Sequence, residues 1–173
     1  MNLLKFLLAV PFALVAPAAL GQANAVTCTA QNITLDFGAF DVLSGAVLDG
    51  AGSFTVTCVN SANGARTVVY TAALATAPAR QMAPPSGPDR LSYGAFVDAT
   101  RLQPWGDGTG GTFTISGTLT IPRRSSLTSA PHNYFARITP GGQDVSAASP
   151  GPPPTTYTQT LTVTVSCTPV PPC

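Results

Sequence analysis

Glutamate is absent from this chain, and lysine occurs once, at Lys5. Charged residues make up 9% of the sequence, and the solvent-facing residues that build long helices are correspondingly scarce, which argues against a helical architecture. A basic surface is lacking too. Once the leader described below is set aside, seven Arg face seven Asp, so nothing supplies a nucleic-acid stripe or a polybasic membrane anchor. His132 is the only histidine, and no nucleophile-elbow pattern accompanies it. Lying between Pro131 and Asn133, it reads as a solvated loop residue. The aspartates are scattered singly and the cysteines lack paired short spacings, so no metal-ligand set emerges. The sequence points to no catalytic residue, no metal and no cofactor, and the protein reads as non-enzymatic.

What the chain does have begins with an apolar leader. Leu3 to Leu20 is almost wholly apolar, Lys5 and the amino terminus supply positive charge, and Ala23-Asn24-Ala25 matches a small-x-small cleavage site. Residues 1–25 therefore read as a secretory signal peptide. Pro11 and Pro17 interrupt the run, which disfavours a retained membrane anchor. The mature chain is expected to start at Val26 and to be exported, with no anchor left after cleavage. Removing 25 of 173 residues leaves 148, enough for one domain burying roughly 68 to 70% of its unfolded surface. That domain is expected to span 26–167, followed by a Pro/Cys tail at 168–173.

Four cysteines survive cleavage, Cys28, Cys58, Cys167 and Cys173. In an exported chain an even count reads as disulfides. Three pairings are possible. Cys28 with Cys58 is favoured, leaving Cys167 with Cys173 across a short proline-stiffened loop; a crossed pairing or a free Cys173 stays open.

Strand signals dominate the mature sequence. Leu161, Val163 and Val165 alternate with Thr160, Thr162 and Thr164, giving one apolar and one hydroxylated face from Tyr157 to Ser166. Phe113, Ile115, Leu119 and Ile121 repeat the pattern, with Gly117 on the apolar face as a candidate bulge or bend. Ile33, Leu35 and Phe37 form a third row, and Phe54, Val56 and Cys58 a fourth, which places the Cys58 disulfide at the edge of the core. Further strands are expected over Arg66–Leu74, Leu91–Asp98 and Asn133–Thr139, with Asn63-Gly64 as a hairpin turn between the strands of Cys58 and Tyr70. The fold class is all-β, most economically a sandwich of two antiparallel sheets.

Between the strands, Pro78 to Pro88 and Pro140 to Pro154 form long proline-rich loops. Asp107, in a glycine-rich stretch from Gly106 to Gly111, fits neither a P-loop nor an EF-hand; it reads as a turn whose carboxylate accepts local N–H bonds. Asn32-Ile33-Thr34 matches a glycosylation sequon within a strand. Trp105, the only tryptophan, reads as a core or loop-packing residue, with an adhesive aromatic as the alternative.

An ordered series of short motifs runs through the chain: Cys28; Phe37-Gly38-Ala39-Phe40; Val56-Thr57-Cys58; Arg80-Gln81-Met82; Leu91-Ser92-Tyr93; Trp105-Gly106-Asp107-Gly108; and the final Thr-Val alternation. In order and spacing the series resembles the spore coat protein U family, whose members are largely subunits of archaic chaperone-usher pili. The resemblance covers essentially the whole mature chain. It implies an immunoglobulin-like sandwich lacking its last strand, with a periplasmic pilus chaperone, an outer-membrane usher and a neighbouring pilus subunit as partners. The implied donor-strand groove lies between Ile33 and Leu35 on one side and Leu161, Val163 and Val165 on the other. Two departures stand out. Only Val26 and Thr27 separate the expected cleavage site from Cys28, where polymerising subunits carry a donor segment; this points to a tip or terminal subunit, supporting adhesion and biofilm formation from the periplasm outward to the cell surface. Gln159 stands where the family often has an acidic residue. The alternatives are a self-complete protective coat protein of spores or cell envelope, and a soluble carbohydrate-binding module using Trp105 and neighbouring tyrosines.

Overall fold

The computed structural model describes residues 25–30, 33–35, 37, 45–75, 80–84, 87–143, 157 and 159–168. The leader over 1–24, the sequon residue Asn32, Gly38 to Phe40 and the tail beyond Thr168 lie outside the described residues. Thirteen strands follow in order: β1 (Val26–Ala30), β2 (Ile33–Leu35), β3 (Leu48–Phe54), β4 (Val56–Asn60), β5 (Arg66–Leu74), β6 (Gln81–Met82), β7 (Leu91–Ser92), β8 (Gly94–Phe96), β9 (Ile115–Ile121), β10 (Ser125–Thr128), β11 (His132–Ile138), β12 (Gln159–Leu161) and β13 (Val163–Thr168). No helix occurs among the described residues.

The protein is all-β, and its antiparallel ladders form the layers of a sandwich. One layer joins β1-β4-β10 to β3-β11-β8, because β3 runs into β4 through Thr55 while β10 runs into β11 through residues 129–131. Ser129 spans this bend, its hydroxyl accepting the Val56 N–H at 3.0 Å and its own N–H donating to the Val56 carbonyl at 2.8 Å. The facing layer is β13-β5-β9, with β12-β2 as a short extension. Between the layers lie Val56, Cys58, Val68, Tyr70, Leu74, Trp105, Ile121, Tyr134 and Ile138, all buried. Alternation drives this arrangement: every second residue of β4, β5 and β11, among them Val56, Cys58, Val68, Tyr70, Leu74, Tyr134 and Ile138, faces inward, and the residues between them are the more exposed ones.

Several expectations are corrected here. Asn63-Gly64 does not close a hairpin, because β4 and β5 belong to different ladders and the 61–65 segment carries the chain across. The amide of Asn60 shapes this crossing from inside the core. Its Nδ2 donates to the carbonyls of Gly64, Ile121 and Pro122 at 2.9, 3.2 and 3.0 Å, and its Oδ1 accepts the Ala62 N–H at 2.9 Å. Gly117 marks no bulge: the β5–β9 register runs through it unbroken, and its missing Cβ makes room for the ring of Tyr70 opposite. The single strand expected over Tyr157–Ser166 is divided at Thr162, where β12 gives way to β13 and the pairing partner changes from β2 to β5. Leu91–Asp98 likewise divides into β7 and β8 around Tyr93. The proline-rich stretch from Pro78 contains β6, whose Met82 is buried in the core.

Candidate functional site: a seam between the first and last strands

Three sequence motifs far apart in the chain meet at one junction. The Arg80 guanidinium donates to the Trp105 carbonyl, and the Arg80 carbonyl accepts the Tyr93 N–H at 3.0 Å. Trp105 is fully buried, stacked on Phe54 with ring centroids 5.3 Å apart and tilted against Tyr134, and its Nε1 donates to the Ala72 carbonyl at 3.2 Å. Tyr93 donates its phenolic hydrogen to Gln159 Oε1 at 2.7 Å, which ties the junction to β12. Burial pushes the Tyr93 phenol up to about 12, against the opposing pull of the Arg80 charge, so the hydroxyl keeps the proton it donates. The same loss of water lowers the Arg80 pKa from its ordinary value. With Trp105, Tyr93 and Tyr134 all buried, the aromatic set of a carbohydrate-binding reading is packed into the core.

The other singled-out polar residues prove local. Asp107 Oδ1 accepts from the Thr109 N–H at 2.9 Å and the Thr109 hydroxyl at 2.7 Å, closing its turn. These bonds hold its carboxyl below the ordinary carboxylate value. His132 is not a solvated loop residue. It opens β11, its Nε2 lies 2.6 Å from the Tyr70 hydroxyl, and its ring packs on Phe54. Partial burial lowers its pKa. Among the described residues no group of three or more His, Cys, Asp or Glu side chains could hold a metal ion. No helix there is long and apolar enough to cross a membrane.

The implied groove residues fall in two parts. Ile33 pairs directly with Leu161, and Leu35 with Gln159, in the β2–β12 ladder; at this end the two segments touch each other. Beyond it the partners separate. Among the described residues β1 pairs only with β4 and β13 only with β5, although β1 and β13 lie side by side with Cα atoms approaching within 8 Å. The result is a fork, joined at Ile33 and Leu161 and unladdered toward Val26 and Thr168. Val26 and Cys28 on one lip, and Val163 and Cys167 on the other, retain 6–8% exposure, whereas Val56, Ala72 and Ile138 retain none. Val165, between Val163 and Cys167 on β13, is half-buried. The fork is thus an apolar seam bordered by β1 and β13, which among the described residues form no ladder with each other.

Cys28 and Cys58 are bonded to each other and occupy directly opposed positions on β1 and β4, with Cα atoms 4.0 Å apart. Cys58 has no exposed surface and Cys28 retains 8%, so the bridge ties the buried row of β4 to the edge strand β1. Cys167 is also disulfide-bonded, and the expected partner, Cys173, lies outside the described residues.

Asn60 is the structural residue that strand periodicity conceals, since it continues the inward row of Val56 and Cys58. The convergence of Arg80, Tyr93 and Trp105 had a signal in their shared membership of one motif series, but no spacing rule locates their contact.

No curated protein matches the chain at a significant level. Residues 15–164 match the Spore Coat Protein U domain, a structural domain of the pilus and coat type. The chain belongs to the Spore Coat Protein U domain family.

Proposed function

We propose that this protein is an exported, non-enzymatic subunit of an archaic chaperone-usher pilus, completed by a strand donated from a chaperone or neighbouring subunit and serving adhesion or biofilm formation. The observation that carries this reading is the fork between β1 and β13. Two strands flanking an inserted third stand about 9.5 Å apart, and these edges approach within 8 Å. Admitting a strand therefore requires the lips to part slightly. Each apolar side chain seated in the seam would contribute roughly 1.5 to 3 kcal/mol gross, a large share of the about 5 to 15 kcal/mol that stabilises an ordinary domain. A sandwich with such a seam suits strand addition.

A tip or terminal position is supported by the use made of the first mature residues. Val26 to Ala30 form β1 and pair with β4 throughout, so they are committed to their own sheet and unavailable to another subunit. Signal cleavage after Ala25 belongs to the same proposal; amino-terminal sequencing of the secreted protein tests it. The decisive experiment adds a synthetic peptide of alternating apolar residues to the oxidised mature protein. A saturable rise in melting temperature with new β signal is expected. An unchanged melt, together with equal soluble yield with and without a periplasmic pilus chaperone, would reject the reading.

A second reading, a self-complete coat protein, draws on the β2–β12 ladder, which closes one end of the fork from within. It requires a monomer indifferent to donor peptides, so the same experiment separates the two.

A further inference from the structure

The end of the sandwich where the seam opens carries a positive cluster. Arg66 begins β5 opposite Ile121 on β9, and Pro122, Arg123 and Arg124 follow directly. The Arg124 N–H donates to the Ala62 carbonyl at 3.2 Å and its Nε donates to Asn63 Oδ1 at 2.9 Å, fastening it to the segment that leads into Arg66. All three arginines are exposed. Among the described residues the ion pairs all involve Asp49, with Arg101 and Arg137, leaving this cluster without a carboxylate. Arg124 holds a φ of 48°, left-handed backbone that non-glycine residues rarely adopt. Such strain persists where surrounding bonds enforce it and is common where a group must be positioned.

The lips of the fork end at the same pole. Val26 and Ser125 both pair with Asn60, the Ser61 N–H donates to the Ala25 carbonyl at 2.7 Å, and Thr168 pairs with Val69, three residues from Arg66. Along the seam itself the intervening outward residues are Thr27, Thr29, Thr164 and Ser166, without charge. An alternating apolar ribbon has a weakness in such a setting. A slip of two residues returns apolar side chains to the same face, so period-two patterning fixes the face but not the position.

We propose that the incoming strand carries carboxylates at the end that emerges at this pole, and that Arg66, Arg123 and Arg124 read them, fixing its direction and register. This rests on the reading that the seam accepts a strand. The charged contact forms when the apolar run is fully seated, so a slipped or reversed ribbon forfeits it.

The test uses the oxidised mature protein and synthetic Val/Thr-alternating peptides of about 10 residues, ending in Asp-Asp or Ser-Ser at either terminus. Affinities are measured at about 50 mM and about 500 mM salt. One of the two Asp-bearing peptides is expected to bind about tenfold tighter than its Ser counterpart at low salt. That preference should vanish at high salt and in the Arg66→Ser/Arg123→Ser/Arg124→Ser variant, while the Ser peptides bind wild type and variant alike, which also shows that the variant is folded. Equal binding of Asp and Ser peptides by the wild type overturns the inference and leaves strand acceptance standing. Failure of every peptide to bind overturns both. If peptides do not discriminate but phosphatidylglycerol vesicles bind the wild type and not the variant, the pole reads a lipid surface and the inference falls.

Discussion

Tyr70 lays its ring across Gly117, its register partner on β9, so that a Cβ at 117 would stand 2.3 Å from the phenolic oxygen. That oxygen in turn meets His132 Nε2 at 2.6 Å. The glycine is therefore a cavity for an aromatic ring, and the ring reaches across the core to the facing layer. Gly117→Val is expected to destabilise the fold by about 2 to 3 kcal/mol through overpacking. Gly64→Ala, at an unstrained position with nothing within 4 Å of the added carbon, should stay within about 0.5 kcal/mol. Chemical denaturation of the two variants checks the contrast.

Asn60 satisfies three carbonyls and one N–H at the chain crossing while itself buried. Asn60→Ala should cost about 2 to 3 kcal/mol, since the groups it serves lose their partner. Asn60→Leu should do no better despite its greater apolar volume, which distinguishes lost polar contacts from lost packing. Equilibrium melts of both variants decide between the two causes.

Acid should act in two steps. Burial lowers the His132 pKa from 6.5, so the unfolded chain takes up its proton first. Stability is full above about pH 6.5 and declines as pH falls toward the folded-state value. Asp49, Asp98 and Asp107 are held below 3.8, chiefly by hydrogen bonds from Arg137, Thr100 and Thr109 respectively; their contribution is lost only as pH falls below about 3.8. A His132→Gln variant is expected to abolish the first decline and keep the second, as read from melting temperature against pH.

At the alkaline end the sign reverses. The Tyr93 phenol, raised from 10 to about 12, ionises more readily in the unfolded chain, so stability is present below pH 10 and lost as pH rises through 12. Tyr93→Phe should flatten this limb and, by removing the donor to Gln159, loosen β12. Hydrogen exchange over Gln159–Leu161 measures that loosening.

The limits of sequence legibility follow from what alternation encodes. The bounds of β5 and the inward placing of Val56 and Cys58 on β4 were readable because period two separates wet from dry positions. Phe54 to Val56 and Leu161 to Val163 keep that period while the pairing partner changes between them, so the divisions at Thr55 and Thr162 leave no mark in the pattern. The same blindness made Asn63-Gly64 look like a hairpin turn. Buried Trp105 was readable as a packing residue, but its contact with Arg80 depends on three segments folding together. Ile33, Leu35, Leu161, Val163 and Val165 were grouped through the family resemblance; apolar alternation alone says nothing of which edges stay unladdered.

The Cys28–Cys58 bridge has a consequence for timing. By the loop-closure relation, a crosslink spanning 30 residues is worth about 3.6 kcal/mol, and it rivets one lip of the fork to its neighbour. Under the proposed strand addition, an invading ribbon could not peel that lip away from β4. The rivet forms only where thiols oxidise, which makes arrival in such a compartment a precondition for presenting a firm lip at all. On the strand-addition proposal, a chain that met its partner while still reduced would offer a hinge where an anvil is needed.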